Sequence, residues 1–311
     1  YTKRINKKSS LCEFISKGGN EMYLQKPESL KVLEILYKRM PFNSELVEEY
    51  FVVRKGYEGE CKFYNLISQK GFPMIVLHDV LIKKSGTAQI DFIVIMATRI
   101  YLFEVKNFEG TVHHKGVDFI KNNYKLDRNP LNRAKNGFDI LDGILRANHV
   151  RIPAEWKLVF INENFTLYGH QPEVPILLLP QLEEFFEKMA KTSAPLTNYH
   201  YKIAHLIRNS RPESNLYKSD YKYDYESLEK GIWCDKCEPT KMINKHRYLK
   251  CSGCSKTEPK IDGVKRSIAE FKLLFPDKIL TARILKDWCG NIIGETFSRC
   301  IIKEMDGKNN S

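Results

Sequence analysis

Cys234-x-x-Cys237 and Cys251-x-x-Cys254 are separated by 13 residues. Two thiolate pairs at about this separation suit one tetrahedral zinc ion, and four sulfurs leave no open position for a substrate. The expected site is therefore a closed, structural Zn²⁺ site in a zinc ribbon, with Met242–Lys250 as hairpin strand between the knuckles. Lys236, Lys241, Lys245, His246, Arg247 and Lys250 surround it and could face nucleic acid or simply solvent. Cys12, Cys61, Cys289 and Cys300 are scattered singly. That mixture reads as metal binding in a reducing compartment, and not as a disulfide framework.

A second constellation is acidic. Gln89–Met96 and Ile100–Lys106 are two apolar, β-branched runs with little between them, which is a hairpin signal. A turn centred on Ala97–Thr98 sets Asp91 opposite Glu104 and Gln89 opposite Lys106. Strand alternation puts these four side chains at the open end of one face, with their Cβ atoms about 5 Å apart across the pair. Two carboxylates that close repel each other unless a positive charge intervenes, and Mg²⁺ (or Mn²⁺) binds through such oxygens. A metal there could polarise a phosphoryl oxygen, and Lys106 could position water or stabilise developing charge. Glu60 is the candidate third carboxylate, because its helix runs directly into the first strand. The same residues would also make a plain ion pair at a sheet end.

The segments Gly56-Tyr57-Glu58-Gly59-Glu60, Gln89-Ile90-Asp91 and Phe103-Glu104-Val105-Lys106-Asn107, with Gly110 following, occur in that order. Together they resemble the NERD (nuclease-related) domain, which is similar to the PD-(D/E)xK nuclease superfamily. The lead-in from Leu33 to Pro41 resembles that of Gram-positive bacterial members, and the resemblance spans roughly Leu30–Ala190. It implies a restriction-endonuclease-like core and a metal-dependent phosphodiesterase with Glu60, Asp91, Glu104 and Lys106 in the site and Gln89 beside them. Ile90 stands where the superfamily name implies proline. Arg133, in Asn129-Pro130-Leu131-Asn132-Arg133, stands where the family has glutamine, and is expected to contact phosphate.

The elements that must hold these residues follow from periodicity. Leu30–Met40 and Ser44–Lys70 read as helices, Met74–Ile82 as the strand before the hairpin, and Pro130 opens a further helix. Trp156–Asn162 and Val174–Leu179 read as buried strands, and Gln181–Ala190 and Tyr199–Arg208 as helices. The fold class is therefore α/β, a mixed sheet flanked by helices. The expected organisation is an N-terminal arm and helix to residue 50, a nuclease core over 51–191, a helix with a Tyr- and Lys-rich linker over 192–229 (Tyr217, Tyr221, Tyr223, Tyr225), the zinc ribbon over 230–260, and a helical module over 261–311. His78-Asp79 is read as structural and His113-His114 as surface loop.

In the last module Val264–Phe275, Thr281–Cys289 and Asn291–Lys303 read as helices, with Gly290 at a tight turn. Helix, glycine turn, helix resembles a helix-turn-helix. The expected inward face of the last helix includes Phe297 and Cys300, and Thr296, Ser298, Arg299 and Lys303 are expected outside, available to DNA. From Glu229 to Ser311, 17 lysines and arginines stand against 11 aspartates and glutamates, half of the net +12 of the 311 residues. Such a surplus favours a polyanion. No apolar run approaches the roughly 18 residues of a membrane span, and Tyr1–Leu11 is basic and polar, so a cytoplasmic protein without a membrane partner is expected. It opens on Tyr1 and not on Met, so a few leading residues are expected to have been trimmed. No dinucleotide, Walker or serine-hydrolase motif occurs. The expected function is a metal-dependent DNA nuclease. The alternatives are a DNA-binding or regulatory protein whose core no longer cleaves, and an RNA-directed nuclease.

Overall fold

The computed structural model describes residues 14–15, 24–126, 129–212 and 221–307. Their contacts separate into two units: Tyr1–Pro27 with Val53–Tyr217, and Glu28–Val52 with Lys218–Ser311, each taken over its described residues. In chain order the elements begin with β1 (Phe14–Ile15), α1 (Glu28–Arg39), α2 (Ser44–Ser68), β2 (Ile75–Lys83), β3 (Thr87–Ile95) and β4 (Ile100–Lys106). There follow β5 (Gly110–Lys115), β6 (Asp118–Lys121), β7 (Tyr124–Lys125), α3 (Pro130–Ala147), β8 (Ala154–Phe160), β9 (Phe165–Tyr168) and β10 (Ile176–Leu178). The chain continues with α4 (Leu179–Lys191), α5 (Asn198–Asn209), β11 (Met242–Lys245), β12 (Tyr248–Cys251), β13 (Thr257–Pro259), α6 (Lys260–Leu274), α7 (Ala282–Trp288) and α8 (Glu295–Gly307).

The first unit is built on a six-stranded mixed sheet in the order β1-β2-β3-β4-β8-β10. β2, β3 and β4 form an antiparallel meander, and β8 and β10 continue parallel to β4. Both faces are apolar, as a sheet covered on both sides requires. On one face Phe92, Val94, Phe103 and Val159 pack against Phe63 and Ile67 of α2 and Leu182 and Phe186 of α4. On the other, Ile75, Ile93, Ile100 and Leu102 pack against Ile140, Leu141 and Ile144 of α3 and Ile203, Ala204 and Ile207 of α5. The helix over Asn198–Asn209 therefore belongs to this core, which extends beyond the expected boundary at residue 191. His113 and His114 are not loop residues: they lie on β5, in a second sheet of order β7-β6-β5-β9.

The second unit combines α1, the start of α2, the three-stranded sheet β11-β12-β13 and α6 to α8. Leu249, Val264, Ile268, Leu285, Ile293 and Ile301 form its core beside Cys234 and Cys251. Arg39, fully buried, lies 3.7 Å over the Trp288 ring and pairs with Glu270 at 2.7 Å. Its Nη1 and Nη2 also donate to the carbonyls of Glu229 and Gly231. The passage read as a linker is packed: Tyr225 stacks on Trp288, and the Tyr223 hydroxyl donates to the Leu274 carbonyl. Tyr217 lies outside the described residues.

The last helix starts at Glu295, four residues later than periodicity indicates, because Gly290 and Asn291 both adopt left-handed backbone and hold the chain in a turn. Its phase is set by buried Ile301. Ser298 consequently faces inward, fully buried, and donates to the Gly294 carbonyl, while Phe297 and Cys300 are exposed. Ser298 is thus withdrawn from the expected DNA-facing set; Thr296, Arg299 and Lys303 are exposed. Among the described residues no helix is long and apolar enough to cross a membrane.

Candidate active site

The hairpin register is the one that the turn at Ala97–Thr98 demands: Phe92 pairs with Phe103 and Ile95 with Ile100. The ladder stops at Phe92, where the next position is Asp91. Its carboxylate accepts the Val105 backbone N–H at 2.8 Å and is buried. A matching irregularity lies on the other side of β3. The β2–β3 pairs run from His78–Phe92 directly to Val80–Ile90, and Asp79 adopts left-handed backbone (φ 52°). The pleat slips there, so Leu77 and Val80, three residues apart, share one face. Two carboxylates, Asp79 and Asp91, thereby sit at a break in the sheet.

Glu104 is almost completely buried on β4. Its Oε1 accepts Lys106 Nζ at 2.6 Å and Arg133 Nε at 2.8 Å. Arg133 Nη2 also lies 3.9 Å from Asp91 Oδ1. Arg133 occupies the first turn of α3, which Asn129 caps by accepting the N–H groups of Leu131 and Asn132. A cation at a helix N-terminus is poorly placed against the helix dipole, and the two carboxylates offset that. Even so, burial and the neighbouring Asp91 outweigh Lys106 and Arg133, and push the Glu104 carboxyl up to about 7.

Glu60 comes from α2, which covers the face of the sheet opposite to α3, and its carboxylate lies close enough to Asp91 and Asp79 to feel their charge. Its Oε2 lies 2.7 Å from His78 Nε2, and burial, then Asp91 and Asp79, raise its carboxyl above the ordinary range. The helix can approach because residue 59 is glycine: a Cβ there would lie 2.7 Å from Cβ of Asn107. Asn107, next after Lys106, ties the site together. It donates to the Lys55 carbonyl at 2.7 Å and accepts from Asn162 at 2.9 Å. Gln89 donates to Asp79. His78 and Asp79, read as structural from the sequence, line the site. The available signal was a His-Asp pair inside an otherwise apolar strand two strands from Glu104.

The donor set around Asp91, Glu104 and Glu60 is oxygen only, which fits Mg²⁺ or Mn²⁺ and not a thiophilic ion. Burial first, and then the neighbouring Asp91, raise both Glu104 and Glu60, and a divalent cation would relieve both. The acidic groups are less tightly gathered than the cysteines, which are the described residues' one set of three or more His, Cys, Asp or Glu with ligand atoms all within 4.8 Å.

Residues 55–161 match the nuclease-related domain family, NERD. The matched stretch runs from α2 to the residue after β8 and holds Glu60, His78, Gln89, Asp91, Glu104, Lys106 and Arg133. It is narrower than the resemblance over Leu30–Ala190 and leaves α1, α4 and the zinc module outside. No curated protein and no solved structure matches the chain.

The four cysteines lie in the second unit. Cys234 Sγ and Cys254 Sγ are 3.8 Å apart, the edge of a tetrahedron with zinc–sulfur bonds of about 2.3 Å, which is roughly 3.8 Å. Backbone N–H groups of Lys236 and Gly253 point at the sulfurs of Cys234 and Cys251 at 3.4 and 3.3 Å. These donors would stabilise thiolates. Sharing hydrogen bonds with Cys254, followed by burial and Cys251, pushes the Cys237 thiol up to about 12, so the cluster suits a bound cation. The sequence expectation and the geometry agree on a site that could hold structural zinc.

Proposed function

We propose that the chain is a metal-dependent nuclease that hydrolyses DNA phosphodiester bonds, with Glu60, Asp91 and Glu104 as ligands for Mg²⁺ or Mn²⁺. The observation carrying this is that Asp91 and Glu104, both buried, face the same Arg133 guanidinium at 3.9 and 2.8 Å, with Lys106 Nζ 2.6 Å from the Glu104 carboxylate, inside the stretch that matches the nuclease-related domain. A bound divalent ion would supply Lewis-acid activation of the scissile phosphate and of a water. Asp91, held by the Val105 N–H, and Glu104 present oxygen in fixed positions. Lys106 orients the attacking water and meets the negative charge that grows on the phosphoryl oxygens. His78 holds the Glu60 carboxylate toward the sheet. The zinc ribbon and the exposed Thr296, Arg299 and Lys303 of α8 add contacts to the DNA backbone, consistent with the +6 balance of that region.

Arg133 favours a second reading. Its guanidinium already sits on the Glu104 oxygen at 2.8 Å, where a protein that binds DNA without cleaving it needs no ion. Plasmid and single-stranded DNA incubated with Mg²⁺ or Mn²⁺, beside a chelated control and Asp91→Ala, separate the two. Cleavage that depends on both the ion and Asp91 supports the nuclease. Salt-sensitive binding with no cleavage in any of these metals supports the binding protein, and cleavage that survives Asp91→Ala refutes the assigned site.

A further inference from the structure

The four-stranded sheet β7-β6-β5-β9 has one buried and one open face. Val112, Phe119 and Leu167 point inward onto Leu158 and Phe160. The opposite face carries a ring pair: His113 stacks on Tyr168 with centroids 5.3 Å apart and planes 21° from parallel. These residues are register partners on β5 and β9. Tyr168 nevertheless remains 56 % exposed. Thr111 and Thr166 flank the rings, and Lys115 and Lys125 project from the same face by strand alternation and pairing. Asp118 lies on the same face, opposite Lys115 and 2.8 Å from Lys125 Nζ, so the two lysines leave one net positive charge beside the rings.

Cross-strand pairing accounts for the mutual stacking of His113 and Tyr168. It does not account for an open aromatic surface set among lysines and hydroxyls. Nucleic-acid bases unstacked from a duplex seek such a surface, since every base has a π-face and the adjoining phosphates need cations.

The sheet also continues from the candidate active site. β5 begins three residues after β4 ends at Lys106, and β9 begins four residues after β8 ends. The Gly110 N–H donates to the Asn164 carbonyl, joining the two connections. At most about 25 Å of extended chain separates Lys106 from His113. Asn129, the cap that sets Arg133 in place, donates to the Val117 carbonyl in the β5–β6 turn.

From this placement we infer that the His113–Tyr168 face is a base-stacking platform that holds single-stranded DNA leading into the site of Asp91, Glu104 and Lys106. The choice of polymer rests on the nuclease reading; the stacking itself is independent of cleavage.

The test is equilibrium binding of the full chain, in chelator so that no strand is cut, to four probes of equal length. These are oligothymidylate, the same backbone without bases, blunt duplex DNA and oligouridylate. Oligothymidylate is expected to bind at least tenfold more tightly than the abasic strand. Tyr168→Ala should erase that preference, a loss of roughly 5- to 150-fold per stacked base, while Tyr168→Phe keeps it. Lys115→Ala should weaken both strands alike and flatten the salt dependence. Equal binding of base-bearing and abasic strands, a preference untouched by Tyr168→Ala and His113→Ala, or tighter binding of duplex or of oligouridylate each overturns the inference. Cleavage assays on the same variants report separately on the nuclease: a protein that stacks bases and never cuts sinks that reading alone.

Discussion

Glu104→Gln tests the electrostatics of the site directly. The Glu104 carboxyl rises from 4.5 to about 7 because burial and Asp91 outweigh the attraction of Lys106 and Arg133. Below pH 4 both native and unfolded chains hold the proton and nothing is lost. As pH climbs from about 4.5 to about 7 the unfolded chain releases its proton first, so the native state binds more protons and stability falls. Above pH 7 both states are ionised and the loss is complete, at about 3 kcal/mol for a shift of this size. Glutamine keeps the shape and removes the charge. Chemical denaturation of both proteins in chelator, between pH 4.5 and 8, lets all other titrating groups cancel in the difference. The variant is expected to gain on the natural protein by about 3 kcal/mol across that range and to be the more stable at pH 8. Mg²⁺ should then stabilise the natural protein more at pH 8 than at pH 5.5, and the variant little at either. A stability difference that stays flat with pH, or a variant that loses ground as pH rises, refutes the account of a buried surplus of negative charge.

Arg133→Gln removes the guanidinium from Glu104 and Asp91; Mg²⁺ affinity, read by titration calorimetry, should rise several-fold, a modest gain because Arg133 is 47 % exposed. Gly59→Ala sets a methyl group 2.7 Å from Asn107 and must push α2 away, so it should cost about 1–3 kcal/mol and reduce metal-dependent cleavage by more than tenfold. Cys237→Ser should lower bound zinc well below one equivalent per chain by metal analysis, and chelation of the natural protein should lower the denaturation midpoint of the unit that holds the cysteines.

The hairpin was legible because both of its strands are apolar on both faces and a one-residue slip would carry Asp91 and Glu104 into the core. The zinc spacing was legible because four ligands within about 20 residues leave little freedom. Other features depend on partners distant in sequence. The left-handed backbone of Asp79 falls in the ladder gap that also holds Asp91, on a strand read separately in the sequence. β5 and β9 pair across 55 residues, and their outward residues are polar, so neither displays an apolar run. Tyr225 reads as linker because the ring it stacks on, Trp288, lies some 60 residues further along. The phase of α8 was misread because the turn at Asn291 delays its start.

The second unit is assembled from two stretches of chain, Glu28–Val52 and Lys218–Ser311, with the long segment Val53–Tyr217 of the first unit between them. Leu36 and Arg39 on α1 are buried at 1 % exposure or less, beside Leu228, Glu229 and Trp288, which lie 190 or more residues onward. During ribosomal synthesis at about 5–20 residues per second, that helix therefore waits roughly 10–40 s for its partners to emerge. A greasy strip with a charged arginine in its midst is exposed throughout, while the nuclease-related segment can already close on itself. Translation pauses or premature termination after residue 212 would leave a finished first unit tethered to an uncovered amphipathic helix, a natural target for chaperones and for self-association.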